Sequence, residues 1–294
     1  DELRIIFVAR PGKKLAYLDL SQAESRWTAY ISGDENYIQA CESGDLHTTV
    51  ARGIWPRLDW SPNRDIKHDK EIAEAKFWRH WSRRDMSKRG GHLSNYMGQP
   101  AANARNLHVS LEVMENFQRD YFAEFGGILR YHGDSARLLN TTAIITTSLG
   151  RRRLFFGRIY EDDVLRKAVA FQPQSGVGDL LNLGMWRVWK HLPEADLLGQ
   201  LHDAILIEYD DDPDTEAYVL GRALELMTIP IQITETKLRN PQTRTMIIPV
   251  DAGIGWNWAK ATKENPDGLA TYQFKPDERI RTVDPEAPLL SRLM

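Results

Sequence analysis

The sequence contains one cysteine and no long apolar run, and each absence excludes a class of protein. Cys41 is the single cysteine among 294 residues, so the chain forms neither an internal disulfide nor a cysteine zinc site, which favours a reducing compartment. No apolar segment approaches the roughly 20 residues of a membrane helix. No cationic segment followed by an apolar stretch opens the chain as a secretory signal would. We therefore expect no membrane association.

Neither sign of charge dominates. The chain has 38 Lys and Arg against 41 Asp and Glu, a formal net charge of −3, and nucleic-acid binders are often basic overall. Basic residues are nevertheless clustered at 79–89 and at 151–158. Because a single charge run is usually a solvated face, these two clusters favour an anionic partner only modestly.

The hydrophobic pattern predicts an α+β fold. Alternation predicts short strands at 3–8, 15–20, 143–148, 153–156, 197–201, 204–208, 229–234 and 246–250. Helical spacing predicts helices at 21–31, 45–54, 71–96, 110–125, 164–191 and 213–227, the fifth broken at 173–176. The polar segment 55–70 predicts a loop, and 260–294 predicts an extended, partly disordered tail. This order fits a small antiparallel sheet backed by helices and interrupted by a helical insertion.

Two aspartates stand at the ends of predicted strands. Asp19 ends an apolar strand, and Asp203 lies in the polar tip between the arms 197–201 and 204–208. A buried carboxylate is costly unless something pairs with it. If the fold brings both together, they can hold a pair of Mg²⁺ ions for phosphoryl transfer. Each aspartate taken alone is more often a turn or capping residue.

Four side chains recur every fourth residue on one predicted helix, namely Arg84, Lys88, His92 and Tyr96. Helical spacing places them along one face. Two cations would neutralise phosphate oxygens, and two rings would stack on a sugar or base. The pattern indicates a nucleoside triphosphate surface, although a solvated helix with two basic residues is a common alternative.

These segments, in this order, resemble motifs A, B and C of family A DNA polymerases, the polymerase I type. Residues 19–26 resemble D-Y-S-Q-I-E-L-R, residues 84–96 carry the arginine, lysine and tyrosine of the motif B helix, and 200–203 resemble Q-V-H-D. The linking segments 45–47, 150–152 and 255–258 resemble the family's D-I-H, G-R-R and closing G-x-N-W. The resemblance covers residues 3–259.

The resemblance implies a role for each matching residue. The metal ligands, for two Mg²⁺ ions, would be Asp19, Asp203 and the Leu20 carbonyl. The incoming dNTP would contact Arg84, Lys88, His92, Tyr96, Gln22, Glu24 and Leu20; Lys88 would also donate a proton to pyrophosphate, and Glu24 would exclude ribonucleotides. Primer–template DNA would contact Arg166, Gln174, His202, Arg151 and Arg152. The palm would comprise 1–26 and 161–259, and the fingers 27–160, with the motif B helix at 81–98.

The chain departs from the family's pattern at four positions. His92 replaces an aromatic phenylalanine or tyrosine, Met97 replaces a glycine, Ala170 replaces an asparagine, and Ala204 replaces the glutamate after Asp203. The family's thumb and exonuclease domain would lie upstream of the first residue or on a separate polypeptide, as in a split gene of viral origin. We expect the cytoplasm of a bacterium or of a phage-infected host.

Two other functions stay open. A single-subunit RNA polymerase shares the two aspartates and the basic helix, but Glu24 would obstruct a ribonucleotide. A degenerate palm-and-fingers protein could act as a structural subunit of a replisome, and Ala204 and Met97 favour that possibility. Synthesis of DNA is the leading hypothesis.

Overall fold

The structure is a computed structural model that describes residues 2–274. The chain divides into two compact units. The sheet unit comprises the described parts of Asp1–Ala23, Ser175–Ile231 and Thr245–Met294. The helical unit comprises Glu24–Gln174 and Gln232–Arg244. The fold is therefore α+β, as the sequence pattern predicts.

The described residues form ten α-helices and eleven strands, after a 3₁₀ turn at Glu2–Ile6. The helices are α1 Ala23–Ser32, α2 Glu35–Glu42, α3 Leu46–Ile54, α4 Ile66–Glu74, α5 Arg83–Asn95, α6 Pro100–Leu107, α7 Leu111–Glu124, α8 Gly126–Thr142, α9 Asp162–His191 and α10 Pro213–Met227. The strands are β1 Lys13–Leu20, β2 Lys76–Trp78, β3 Trp81–Ser82, β4 Ile144–Thr146, β5 Arg152–Leu154, β6 Asp196–Leu201, β7 Ala204–Asp210, β8 Ile231–Thr234, β9 Thr243–Met246, β10 Val250–Gly255 and β11 Ala270–Tyr272.

Strand β1 is central in the five-stranded sheet of the sheet unit. The strand order is β11-β10-β1-β7-β6, and each neighbouring pair is antiparallel. Strand β7 is buried at six consecutive positions, as expected for a strand covered on both faces. Helix α10 lies against the sheet, where Glu216 accepts hydrogen bonds from Lys14 Nζ at 2.6 Å and the Tyr209 hydroxyl at 3.1 Å.

Helices α3, α5 and α7 pack together in the helical unit. Two interior glycines let α5 approach α7: a Cβ on Gly90 would lie 2.8 Å from the Phe117 ring, and one on Gly91 would lie 3.2 Å from Tyr121. Each interior glycine destabilises a helix by roughly 1 kcal/mol relative to alanine, and the close packing of α5 against α7 offsets this loss. Asn95, at the end of α5, donates to the Tyr37 hydroxyl at 3.0 Å and accepts from Tyr121 at 2.8 Å.

The strand predicted at 3–8 is wrong. Residues 2–6 form a 3₁₀ turn, and Leu3, Ile6 and Val8 are each at least two-thirds exposed. Strand β1 is flanked by β7 and β10, so a preceding arm finds no free edge beside it. The apolar character of this segment did not lead to burial in the sheet.

The predicted loop at 55–70 and helix at 71–96 are also partly wrong. Helix α4 occupies Ile66–Glu74, the short β2–β3 pair follows, and α5 starts only at Arg83. The Asp65 side chain caps α4 by accepting from the backbone of Lys67 and His68. Helix α5 ends at Asn95, inside the predicted bounds 81–98, so Tyr96 is its C-cap rather than a helical residue.

The predicted break at 173–176 is absent, because α9 continues through Pro173. A proline has no N–H for the carbonyl four residues earlier and usually kinks a helix. That carbonyl belongs to Val169, and the buried Tyr131 hydroxyl donates to it at 2.5 Å. A side chain from α8 therefore replaces the hydrogen bond that the proline removes.

The C-terminal third is partly as predicted. The hairpin β6–β7, the hairpin β4–β5 and α10 are confirmed. The strand predicted at 246–250 is instead the end of one strand and the start of another, β9 and β10, separated by three residues outside any strand. The predicted tail at 260–294 contains β11, and its part from 275 onward lies outside the described residues. No helix among the described residues is long and apolar enough to cross a membrane.

Candidate active site

The sheet unit brings Asp19 and Asp203 together. Asp19 pairs across the sheet with Ala204, the residue after Asp203, and the Leu20 N–H donates to the Asp203 carbonyl at 3.0 Å. Asp203 occupies the two-residue tip of the β6–β7 hairpin, preceded by His202 in the left-handed region with φ +51°. Two residues far apart in the chain therefore lie at one end of neighbouring central strands.

The two carboxyl groups repel each other. Burial, the Asp203 carboxylate and the Asp251 carboxylate together raise the pKa of Asp19 to about 7. Asp251 contributes because it pairs directly with Asp19 on the other side of β1. Each of these influences opposes ionisation of Asp19, so a nearby cation would stabilise the charged form.

A divalent metal ion fits this pair of oxygen donors. Magnesium is bound in proteins through one or two carboxylates together with water and substrate phosphates. No cluster of three or more His, Cys, Asp or Glu with metal-holding geometry occurs among residues 2–274. The two aspartates and a backbone carbonyl are the donors that the motif resemblance names. The Leu20 carbonyl lies next to Asp19 on β1.

In the helical unit, Glu24 lies against His92 and Tyr96, the two ring residues of the motif B pattern. The Tyr96 hydroxyl donates to Glu24 Oε2 at 2.5 Å, and His92 Nδ1 lies 3.9 Å from the same oxygen. The His92 and Tyr96 rings meet edge to face with centroids 4.9 Å apart. Glu24 lies in the first turn of α1, and the Tyr96 hydrogen bond holds its carboxylate.

Arg84, Lys88 and His92 lie on one face of α5, as their spacing predicts. Lys88 and His92 are exposed, and Arg84 is partly buried. The Arg84 guanidinium pairs with Asp45 at 3.2 Å. Asp45 caps α3 by accepting from Thr48, and its pKa is lowered despite burial because Arg84 and Thr48 bond to it.

His47 is a residue of this surface to which the sequence assigned no role. Burial, followed by the charges of Arg84 and Lys88, lowers its pKa to about 4. The imidazole is therefore neutral at neutral pH and lies within electrostatic reach of both cations. The D-x-H pattern at 45–47 is the signal that could have pointed to it.

Gln22 has unusual surroundings in the sheet unit. Its backbone lies in the left-handed region, with φ +54°, between β1 and α1. Its Oε1 is buried and has no hydrogen-bond partner among the described residues. A buried polar atom without a partner is unfavourable by about 1–3 kcal/mol, so this oxygen is suited to a ligand donor.

The predicted DNA contacts lie on three elements. Arg166 and Gln174 are about two turns apart on α9, Arg151 and Arg152 are exposed on the β4–β5 hairpin, and His202 is exposed in the β6–β7 turn. Of these, His202 is next to Asp203 in the sheet unit, and the other four belong to the helical unit.

Two departures from the motif pattern have structural consequences. Met97, where the motif carries glycine, has φ +59°, a left-handed backbone that favours glycine. Ala204 is fully buried and pairs directly with Asp19. The third, Ala170, is a partly buried residue of α9.

Comparison with known proteins identifies the family. The family model described as DNA polymerase family A matches residues 1–260. DNA polymerase I of Chloroflexus aurantiacus is 27% identical over 225 residues, covering 72% of this chain and 22% of that protein. DNA polymerase I of Mycobacterium tuberculosis strain H37Rv is 30% identical over 218 residues, covering 70% and 22%.

Among solved structures, the polymerase domain of Pol1 from M. smegmatis, in complex with DNA primer-template and dNTP, has the same fold. The TM-score is 0.68 at 22% sequence identity, and the match covers 87% of this chain and 42% of that one. The chain spans less than a third of the length of these curated relatives. For the thermostable DNA polymerase I of Thermus filiformis the share is 29%. From the motifs, the fold and the match over residues 1–260, the chain belongs to DNA polymerase family A.

Proposed function

We propose that this chain is the palm-and-fingers module of a template-directed DNA polymerase that adds dNTPs to a primer 3′ end. The observation that carries the proposal is the convergence of Asp19 and Asp203 at one end of β1 and β7, in a chain of this family. The palm would be 1–26 with 161–259, and the fingers 27–160. The name of these relatives, DNA polymerase I, agrees with this activity.

Two Mg²⁺ ions would be held by Asp19, Asp203 and the Leu20 carbonyl. When bound, such ions neutralise charge on the attacking and leaving oxygens of a phosphoryl transfer. A bound cation would favour ionised Asp19, since it offsets the burial and the carboxylate repulsion that together raise the pKa of Asp19 to about 7.

The dNTP triphosphate would bind the cationic face of α5. Lys88 is exposed, and Arg84 would exchange its ion pair with Asp45 for the triphosphate. The neutral His47 can donate a hydrogen bond to a phosphate oxygen without adding a charge. Lys88 is also the candidate for protonating the leaving pyrophosphate, because it is a flexible ammonium beside the phosphates.

The sugar and base would be sensed by Glu24, His92, Tyr96 and Gln22. The Glu24 carboxylate is held by Tyr96 at 2.5 Å and would leave no room for a 2′-hydroxyl. His92 would lie against the sugar, and Tyr96 near the templating base. Gln22 Oε1, which lacks a partner, would accept a hydrogen bond from the bound nucleotide or the primer.

The primer–template would contact five polar side chains, Arg166, Gln174, His202, Arg151 and Arg152. Phosphate contacts by arginine supply most of the sequence-independent affinity of such proteins. A thumb or exonuclease segment encoded upstream or on another chain, a viral origin and a cytoplasmic location stay predictions.

Primer extension with single dNTPs tests the function. Asp203→Asn and Asp19→Asn should each lower the extension rate at least 1,000-fold, because several kcal/mol of charge stabilisation would be lost. Primer–template affinity should change less than 3-fold. Asp210→Asn, which removes an exposed carboxylate paired with Lys13, is the matched control and should extend normally.

The outcome also separates the two alternatives. Wild-type protein that binds primer–template but extends it no faster than Asp203→Asn would indicate a structural replisome subunit, which Ala204 beside Asp19 favours. Extension with rNTPs as fast as with dNTPs would indicate an RNA polymerase. Near wild-type extension by Asp203→Asn would contradict the metal assignment.

A further inference from the structure

An exposed surface with arginines and aromatic rings lies next to α9, and we name residues 151–160 the arginine-aromatic loop. It carries four arginines and no acidic residue. Phe156 and Tyr160 are each 80% exposed, the most exposed large hydrophobic residues in the described part of the chain. Two such rings outside a core indicate an interaction surface rather than a packing role.

The backbone that presents these rings is anchored to the core of the helical unit. Phe155 is buried in a cluster with Leu139 and Ile145, and its N–H donates to the Ala143 carbonyl at 2.8 Å. Because consecutive residues of an extended chain point to opposite sides, burial of Phe155 directs Phe156 outward.

The second ring also follows an anchored residue, here in a turn. Ile159 packs against the same buried cluster, and the next residue, Tyr160, is exposed. Each solvent-facing ring therefore follows an anchored apolar residue and is itself largely accessible.

The charge around the rings suits a polyanion. Arg152 and Arg158 are exposed. Arg153 is also exposed, and its guanidinium carbon lies 4.7 and 5.7 Å from the centroids of the Phe155 and Phe171 rings. Arg158 pairs with Glu161 at 3.3 Å, an exposed ion pair that it would exchange for a phosphate, and Asp163 pairs with Lys167 at 2.5 Å.

We propose that the arginine-aromatic loop binds single-stranded DNA, with bases stacked on Phe156 and Tyr160 and phosphates neutralised by Arg152 and Arg158. Aromatic rings combined with cations are the usual composition of single-strand sites, because the rings stack on unpaired bases of any sequence. A duplex keeps its bases stacked inside and presents only phosphates and groove edges, so the rings are specific to the unpaired strand.

This inference deepens the proposed polymerase function by assigning a place to unpaired template, but its test needs no catalysis. Fluorescence anisotropy with labelled oligo-dT and with a blunt duplex of equal length measures both affinities without dNTP or metal. Phe156→Ala/Tyr160→Ala should weaken oligo-dT binding at least 5-fold, the effect of losing one stacked base or more. Duplex binding should change less than 2-fold.

Three controls make the result specific. Tyr218→Ala removes another exposed aromatic ring, 52% exposed on α10, and should bind oligo-dT as the wild type does. Phe156→Trp/Tyr160→Trp keeps the stacking faces and should restore affinity. Arg152→Ala/Arg158→Ala should reduce the slope of log affinity against log salt by up to about 1.4, as expected for two phosphate contacts on a single strand, whereas the ring variant should keep the slope.

The result that overturns the proposal is equal affinity of wild type and Phe156→Ala/Tyr160→Ala for oligo-dT, or equal loss for single strand and duplex. Thermal melting by circular dichroism checks that the variants stay folded, which is expected because both rings are exposed. Asp203→Asn should bind oligo-dT normally. Loop-dependent binding in a chain that fails to extend primers would retain the loop site and reject only the polymerase function.

Discussion

The hydroxyl of Tyr96 donates a 2.5 Å hydrogen bond to the carboxylate of Glu24, joining the end of α5 to the start of α1. Burial and the Glu24 charge raise the pKa of Tyr96, so the tyrosine stays protonated and remains the donor. The contact fixes the orientation of the carboxylate that is proposed to exclude ribonucleotides.

Glu24→Ala should therefore increase ribonucleotide incorporation. Removing the side chain opens the space that a 2′-hydroxyl needs, and we expect the ratio of kcat/KM for dNTP over rNTP to fall at least about 10-fold. Tyr96→Phe keeps the ring but removes the hydrogen bond, and should lower the ratio less. Single-turnover incorporation of matched dNTP and rNTP measures it, and an unchanged ratio in Glu24→Ala would reject the steric role.

Lys88→Ala should weaken dNTP use far more than DNA binding. Loss of one charge-assisted contact to phosphate is expected to raise the apparent dissociation constant for dNTP about 10- to 100-fold. Arg89→Ala is the matched control, because Arg89 is the adjacent cation of α5 but lies over the Trp81 ring at 5.4 Å. Rapid-quench kinetics over a range of dNTP concentrations gives the constants. Equal effects of the two substitutions would show that only total charge matters.

Stability should fall as the solution is acidified through the titration range of His47. Burial, with Arg84 and Lys88, lowers its pKa to about 4 from 6.5, so the unfolded chain binds a proton at a pH where the folded chain does not. The contribution of His47 is present above about pH 6.5 and is lost as the pH falls toward 4.

His47→Gln should therefore show a smaller drop in Tm between pH 7 and pH 4.5 than the wild type. His68→Gln is the control, because the exposed His68 has a pKa raised by its contact with the Asp59 carbonyl, which gives the opposite sign. Differential scanning fluorimetry across pH measures both. Parallel wild-type and His47→Gln curves would contradict the assignment.

Tyr131→Phe should destabilise the helical unit through Val169. The substitution leaves the Val169 carbonyl without its donor, since Pro173 has no N–H to replace it, and the expected loss is about 1–2 kcal/mol in the free energy of unfolding.

A double-mutant cycle tests this account. Pro173→Ala supplies the missing backbone N–H, so Tyr131→Phe should cost less in that background than in the wild type. Urea unfolding of the four proteins gives the coupling free energy. Identical costs of Tyr131→Phe in both backgrounds would mean that the hydroxyl does not substitute for the helix bond.

The elements that the sequence predicted well are those whose pattern is local. Helix α10 was predicted at its observed bounds, Pro213–Met227, because its apolar spacing and the capping Asp212 lie in the same segment. The face of α5 carrying Arg84, Lys88 and His92 follows from helical spacing alone. The role of Asp19 and Asp203 came from motif resemblance, and their proximity required the fold.

The errors occurred where tertiary contacts decide the local structure. The chain continues as a helix through Pro173 because Tyr131, on another helix, donates to the freed carbonyl. The apolar residues 3–8 form no strand, since β1 has a partner on each side.

The sequence by itself determined the family, the order of its motifs and the charge of each candidate residue, because these depend only on residue type and spacing. The tertiary structure decided which groups interact. It raised the pKa of Asp19 by placing it beside Asp203 and Asp251, and it paired Glu24 with Tyr96. Electrostatic and hydrogen-bond energies depend on distance and burial, and both are fixed only when distant segments of the chain have packed together.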